Sequence, residues 1–148
     1  MCMYEESTHV QLAFMLPKGA KQVASSDQLV SSVDILPTIC DLIDVPCTQA
    51  VDGISLKLTI EDGTTIDRDR IYVQFEGNGA RGNFQRSIIE VSHKLIVDLF
   101  KDEVFFDLYD VIADTQEKYN LAFKEQTRVR ELSDHLIAWM KVTDDHFS

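Results

Sequence analysis

The chain has 148 residues, 45% of them hydrophobic and 26% charged, the balance of one globular domain large enough to build a core without disulfide staples. Twenty-five acidic side chains against 14 basic ones give a formal net charge of -11, which repels a phosphate backbone and argues against nucleic acid as a partner. Three cysteines without a C-x-x-C pair signal neither a disulfide framework nor a zinc site, and no apolar run nears the ~20 residues that would make a membrane partner of the chain.

The opening "MCMYEESTHV" places Glu5 and Glu6 where the apolar core of a signal peptide would lie, so a chain complete as it stands is expected in the cytoplasm. Val10 to Leu16, "VQLAFML", reads as a short buried strand ended by Pro17 and Gly19. After a polar loop, "SSVDILPTICDLIDVP" predicts a helix. Ser31 or Ser32 caps it, and Asp34 sits in its first turn at the positive end of the dipole. Val33, Leu36, Ile39, Cys40 and Ile43 share one face, and Pro46 stops the run. "DGISLKLTIEDG" predicts a short, weak helix.

The period then changes from helical to alternating. Ile71–Phe75, Ser87–Val91, Leu95–Leu99 and Val104–Leu108 follow one another with short links, which predicts a four-stranded antiparallel sheet, with Lys101 and Asp102 in a tight turn. A last helix, Glu125 to Lys141, carries Val129, Leu132, Leu136, Ile137 and Met140 as an apolar stripe flanked by Trp139 and covers one face of that sheet. The chain thus divides into residues 1–67, an edge strand with helices and no sheet of their own, and residues 68–148, an α+β unit ending in the sheet and helix.

Gly77, Gly79 and Gly82 spell G-x-G-x-x-G after the first strand. A dinucleotide site needs a helix next, whose N-terminus meets the pyrophosphate. "NFQRSIIEVSHKLIVDLF" follows instead and reads as more strand, so the glycines mark a flexible loop between antiparallel strands. Asn78, Arg81 and Asn83 are polar donors on that loop, and such loops border ligand sites. The histidines at 9, 93, 135 and 146 are scattered, without metal-binding spacing, and the residues alone assemble no catalytic set.

The order of motifs resembles the sulfatase family. "MYEESTHVQLAFMLPKG" is similar to its "YEES-x-R-V-P-L-I-x-x-x-P-G" segment, "LVSSVDILPTICDLIDV" to "VSLVDLLPTLLDLAGV", and "VDGISL" to "DG-x-SL". "RSIIEVSHKLIVDLF" resembles "R-x-x-R-x-x-x-Y-K-L-I", "FFDLYDVIADTQEKYNLA" resembles "x-E-L-Y-D-L-x-x-D-P-x-E-x-x-N-L-A", and "LIAWMKVTDD" resembles "L-x-x-W-M-x-x-T-x-D". His9 and Gln11 stand where the family favours Arg and Pro, Ile89 at its second strand Arg, and Thr115 at its Pro.

The resemblance implies an α/β fold of the alkaline-phosphatase-like superfamily, of which this chain is the C-terminal part. It also implies sulfate-ester hydrolysis by the parent enzyme, with a formylglycine nucleophile made from "C/S-x-P-x-R" and a divalent ion, usually calcium. Cys2, Cys40 and Cys47 are followed by "MYEE", "DLID" and "TQAV", so this chain is expected to carry neither nucleophile nor metal site and to be inactive alone. The implied partner of the full enzyme is a sulfated small molecule or glycan. Toward it, Asn78, Arg81, Asn83 and Arg86 are the candidate substrate-binding residues, the two arginines suiting an anion. A second reading is a stand-alone, non-catalytic binding or oligomerisation module. The fragment reading predicts an exposed apolar face around Leu12–Leu16 and Ile35–Ile43, and self-association through it.

Overall fold

A computed structural model describes residues 3–77 and 83–146. Backbone contacts divide the chain into two units, Gln11–Asp69 on one side and Met1–Val10 with Arg70–Ser148 on the other. The first ten residues therefore group with the sheet, not with the helices that follow them.

In the sheet unit, β1 (Arg70–Phe75), β2 (Asn83–Glu90), β3 (His93–Phe100) and β4 (Glu103–Asp110) form an antiparallel meander in chain order. The register sets Tyr72 opposite Ile88, Ile88 opposite Leu95 and Leu95 opposite Leu108, so these residues line one face. Helix α4 (Gln126–Val142) lays Leu132 and Leu136 on that row, and with Ile88, Leu95, Val97 and Leu108 they form the main core. Each such side chain contributes about 1.5–3 kcal/mol on burial. Trp139 stacks on Tyr72 at 4.8 Å with the rings 4° from parallel, which fixes the far end of the helix. Of the predicted stripe only Ile137 departs: it is 48% exposed, on the flank of the contact.

The opposite face is partly covered by the N-terminal segment, which includes α1 (Glu5–Thr8). Met3, Ile96 and Tyr109 form a second small core there, and Tyr4 meets Tyr109 edge to face at 5.9 Å. Val91, expected to end a strand, instead occupies the β2–β3 turn at φ 55, where a β-branched side chain is strained. It is 69% exposed, so a smaller residue there gives up little burial. Val91→Gly is expected to stabilise the chain by about 1 kcal/mol, read as a higher urea midpoint with an unchanged m-value.

In the unit Gln11–Asp69, the buried strand expected at Val10–Leu16 does not form: the segment is coil, with Val10 69% and Met15 97% exposed. A strand survives only where its N–H and C=O groups find a neighbour, and the described residues offer this one none. The predicted helix does form, as a 3-10 turn (Ser32–Asp34) running into α2 (Ile35–Leu42). The chain then turns back through Asp44 at φ 54, with Val45 N–H on Cys40 O at 2.9 Å and Asp44 N–H on Asp41 O at 3.3 Å, a Schellman ending.

The apolar face of α2 lies in solvent, as the fragment reading expects around Ile35–Ile43. Asp34, Pro37 and Thr38 are inside, while Val33, Leu36, Ile39 and Ile43 are exposed. The reason is polar. Thr38 Oγ1 donates to Asp34 O at 2.6 Å and accepts from Leu56 N–H at 2.8 Å, tying the helix to the segment that leads into α3 (Lys57–Asp62). Asp34 accepts from Ser31 N–H at 2.7 Å and Ile54 N–H at 2.9 Å, and both its oxygens meet the Arg68 guanidinium. Gly53 closes the same crossing. A Cβ there would stand 2.1 Å from Val33 O, a backbone atom that cannot yield. Gly53→Ala is expected to destabilise this unit by about 1–3 kcal/mol, read as an earlier urea transition.

Candidate functional site

The glycine loop leaves β1 through Glu76 and Gly77, whose φ of 74 opens the turn that the sequence required of it. Asn78 and Arg81 lie outside the described residues. Asn83 opens β2, its backbone registered opposite Phe100, and its side chain is outside the described set. Arg86 can be placed in full, at the base of the loop.

Arg86 is 0% exposed. Its Nε and Nη2 donate to the two carboxylate oxygens of Asp145, both at 2.6 Å, a bidentate fork just beyond the end of α4. Nη2 also reaches Glu76 Oε1 at 2.5 Å, and Nη1 donates to Gln85 O at 3.0 Å and Phe75 O at 3.3 Å. The Asp145 hydrogen bond with Arg86 is the largest influence on that carboxyl and holds it below the usual carboxylate range. One buried cation therefore ties the mouth of the loop, the β2 backbone and the segment after α4 together. Its charge is already met by two carboxylates. An open cleft of ≈ 390 Å³ beside it is lined by Gln74, Glu76, Thr143, Asp144, Asp145 and His146, an acidic wall that does not favour an anion.

The sequence reading missed a second buried charge cluster, on the opposite face of the sheet. Lys94 on β3 is 0% exposed, and its Nζ lies 2.9 Å from Glu5 Oε1, 3.0 Å from Glu117 Oε1 and 2.9 Å from Thr8 Oγ1. Glu117 Oε2 accepts from Glu5 N–H at 2.6 Å. Its members come from "YEES", "HKLI" and "TQEKYN", three of the segments that carried the resemblance. The signal available was a lysine sharing a strand face with Ile96, a face that must be covered.

In the other unit, a cleft of ≈ 510 Å³ is lined by Cys40, Asp41, Asp44, Val45, Pro46, Ser55, Lys57 and Leu58. Lys57 Nζ spans it, donating to Asp41 O at 2.8 Å and Asp44 Oδ1 at 3.2 Å. Among the described residues no group of three or more His, Cys, Asp or Glu side chains is placed to hold a metal ion. That donor set, with no cysteine or serine in a "C/S-x-P-x-R" context, does not fit the calcium and formylglycine that the resemblance implies for full-length enzymes. No catalytic step is therefore assigned to these residues.

Comparison with known proteins gives a consistent picture. The family described as N-sulphoglucosamine sulphohydrolase, C-terminal, matches residues 1–143. Human arylsulfatase K is 30% identical over 131 residues, covering 84% of this chain and 24% of that protein. The N-acetylglucosamine-6-O-sulfatase of Bacteroides thetaiotaomicron is 27% identical over 128 residues, covering 84% of this chain and 23% of that protein. Among solved structures, BT4656 in complex with its substrate D-glucosamine-2-N,6-O-disulfate superposes with a TM-score of 0.64 at 26% identity, over 77% of this chain and 24% of its own. The chain thus spans about a quarter of the length of the relatives it matches.

Proposed function

The chain belongs to the N-sulphoglucosamine sulphohydrolase C-terminal family, as a C-terminal sulfatase domain of the alkaline-phosphatase-like fold, and from that premise we propose that it serves a sulfate-ester hydrolase as its closing, non-catalytic part. The observation that carries this reading is the match across 1–143, which includes the "YEES" segment that Lys94 and Glu117 hold against the sheet. Nucleophile and metal come from elsewhere in such an enzyme, and the small sheet acts as a rigid frame. The Gly77–Asn83 loop then contributes to the wall of the substrate site, with Asn78, Arg81 and Asn83 toward a sulfated sugar and Arg86 fixing the loop's base through Glu76. Two of the three named relatives carry an amino-sugar sulfate in their descriptions, N-acetylglucosamine-6-O-sulfate and D-glucosamine-2-N,6-O-disulfate, which favours an amino-sugar sulfate as the substrate class.

The exposed row Val33, Leu36, Ile39 and Ile43 supports the same reading, because a monomer that functions alone seldom leaves a helix's apolar stripe in water. In the chain by itself, that stripe is the proposed route of self-association. The experiment is a sulfate-release assay on glucosamine 6-sulfate and 4-nitrophenyl sulfate with calcium present, with the purified 148-residue chain and, separately, the product of the reading frame extended upstream of the Met1 codon. The expected result is no release by the chain and release by the extended product. Turnover by the 148-residue chain, or an upstream frame without "C/S-x-P-x-R", would sink the proposal.

A further inference from the structure

In the unit Gln11–Asp69, the fold brings together two nucleophilic side chains that no sequence motif pairs. Cys40 lies in the last turn of α2, and the chain reverses after it through Asp44 at φ 54, with Val45 N–H returning to Cys40 O at 2.9 Å. Cys47 follows two residues later. From Ile43 to Ala50 every residue is exposed except Cys47, which is half-buried, as is Cys40. Both cysteines are free, and their thiols hydrogen-bond to each other. Neither belongs to a hydrophobic core, so packing does not account for an inward cysteine on an otherwise exposed turn. The place is also accessible: Cys40 lines the open cleft of ≈ 510 Å³ together with Val45 and Pro46. Two sulfurs do not make a metal centre here, since among the described residues no group of three His, Cys, Asp or Glu side chains is placed to hold an ion. Burial, and next the hydrogen bond with Cys47, raise the Cys40 thiol above its ordinary value, so the pair rests as thiols.

We infer that Cys40 and Cys47 are a redox-active pair that closes to an intrachain disulfide by exchange with a small-molecule disulfide, stapling the chain's return onto the end of α2. The exchange has two steps. The thiolate of one cysteine attacks a sulfur of the external disulfide, forming a mixed disulfide and expelling one external thiolate. The thiolate of the other cysteine then attacks the protein sulfur of that mixed disulfide, forming the Cys40–Cys47 bond and expelling the second external thiolate. The two protons leaving the cysteines end on the two external thiols, and two electrons pass from the protein to the external disulfide. Sulfurs already in contact need only a small rearrangement to reach a bond of about 2.05 Å. The staple acts on a particular place. The ring it closes contains Asp41 and Asp44, whose backbone carbonyl and carboxylate oxygens accept from Lys57 Nζ at 2.8 Å and 3.2 Å. Oxidation therefore fixes the side of the cleft that joins α2 to α3, and reduction releases it.

The test equilibrates the Cys2→Ser chain, whose only cysteines are Cys40 and Cys47, with mixtures of reduced and oxidised glutathione. The reaction is quenched with N-ethylmaleimide and read by mass spectrometry with a peptide map. The expected result is a product lighter by two hydrogen atoms with Cys40 bonded to Cys47. The effective concentration of one thiol toward the other should be at least about tenfold higher in native buffer than in concentrated urea, because the fold holds the pair together. By linkage the closed form should need more urea to unfold than the reduced form. Cys40→Ser and Cys47→Ser, each made in the same background, should stop at a mixed disulfide with glutathione. Should Cys2→Ser disturb folding, the wild-type chain serves, since the peptide map separates a Cys40–Cys47 bridge from one to Cys2. Mixed disulfides without closure, a bridge to Cys2 in place of the pair, or an effective concentration no higher than in urea would overturn the inference. The readout needs no sulfate hydrolysis, so its outcome is independent of the sulfatase reading.

Discussion

Lys94→Ala is expected to cost about 3–5 kcal/mol and to free the N-terminal segment, because it leaves the buried Glu117 and the half-buried Glu5 carboxylates facing each other without their cation. Glu5 and Glu117 both hold Lys94 Nζ within 3.0 Å, and Glu117 is only 7% exposed. The loss is larger than that of a surface ion pair, which is worth at most about 1 kcal/mol. Urea unfolding measures the magnitude. Hydrogen exchange identifies the mechanism: Glu5 N–H, which now donates to Glu117 at 2.6 Å, should exchange freely in the variant while the β2–β3 amides keep much of their protection. Lys94→Met, with the double change of Glu5 and Glu117 to Gln, should recover most of the stability, since a fully neutral cluster removes the uncompensated charge. If Lys94→Ala lowers stability by less than about 1 kcal/mol, the cluster is not the anchor described.

Asp34→Ala is the second large expected loss, again about 3–5 kcal/mol, confined to the unit Gln11–Asp69. It strips two backbone N–H groups, Ser31 and Ile54, of their acceptor and leaves Arg68 beside an apolar stub. The same carboxylate gives this unit an acid limit. Burial pushes Asp34 upward, but Arg68 and the N–H groups of Ser31 and Ile54 together outweigh it, so its folded value lies below the ordinary 3.8. A depressed carboxylate contributes stability that is complete above the unfolded value and is lost as pH falls through the folded one. Unfolding of wild-type chain should therefore accelerate only below about pH 4, and Asp34→Asn should flatten that acid limb while lowering stability at neutral pH. A wild-type acid limb that Asp34→Asn leaves unchanged would show that another group sets it.

These two residues show how far the sequence could be read. The alternation around Ile88, Leu95 and Leu108 and the Leu132–Leu136 spacing announced the sheet and its covering helix, because period and burial coincide when an element has its partner within the chain. That logic failed at Val10–Leu16, where no strand forms, and at α2 it gave the helix, whose exposed apolar face only the fragment reading anticipates. Both carry the apolar pattern of buried elements, yet both present it to solvent here, because hydrophobic patterning records the intended contact and not whether the contacting surface is within reach. Arg86 was legible as an arginine near a glycine loop, and its chemistry was not: the fork to Asp145 closes over 59 residues of sequence, a separation no local pattern reveals. Lys94 and Glu5 are 89 apart and were invisible for the same reason, although each sat within a quoted motif.

That last separation has a consequence for the order in which the chain matures. Every strand of the meander pairs only with its sequence neighbour, so the sheet forms through short loops that cost little closure entropy and form early. The segment that carries Glu5 precedes β3 and Glu117 in the chain, so its buried contacts here wait until both have been made. It therefore docks on the sheet as a late step, after the transition state for the sheet. Changes at Glu5 or Lys94 should then leave the refolding rate of the sheet nearly untouched and express themselves as faster unfolding.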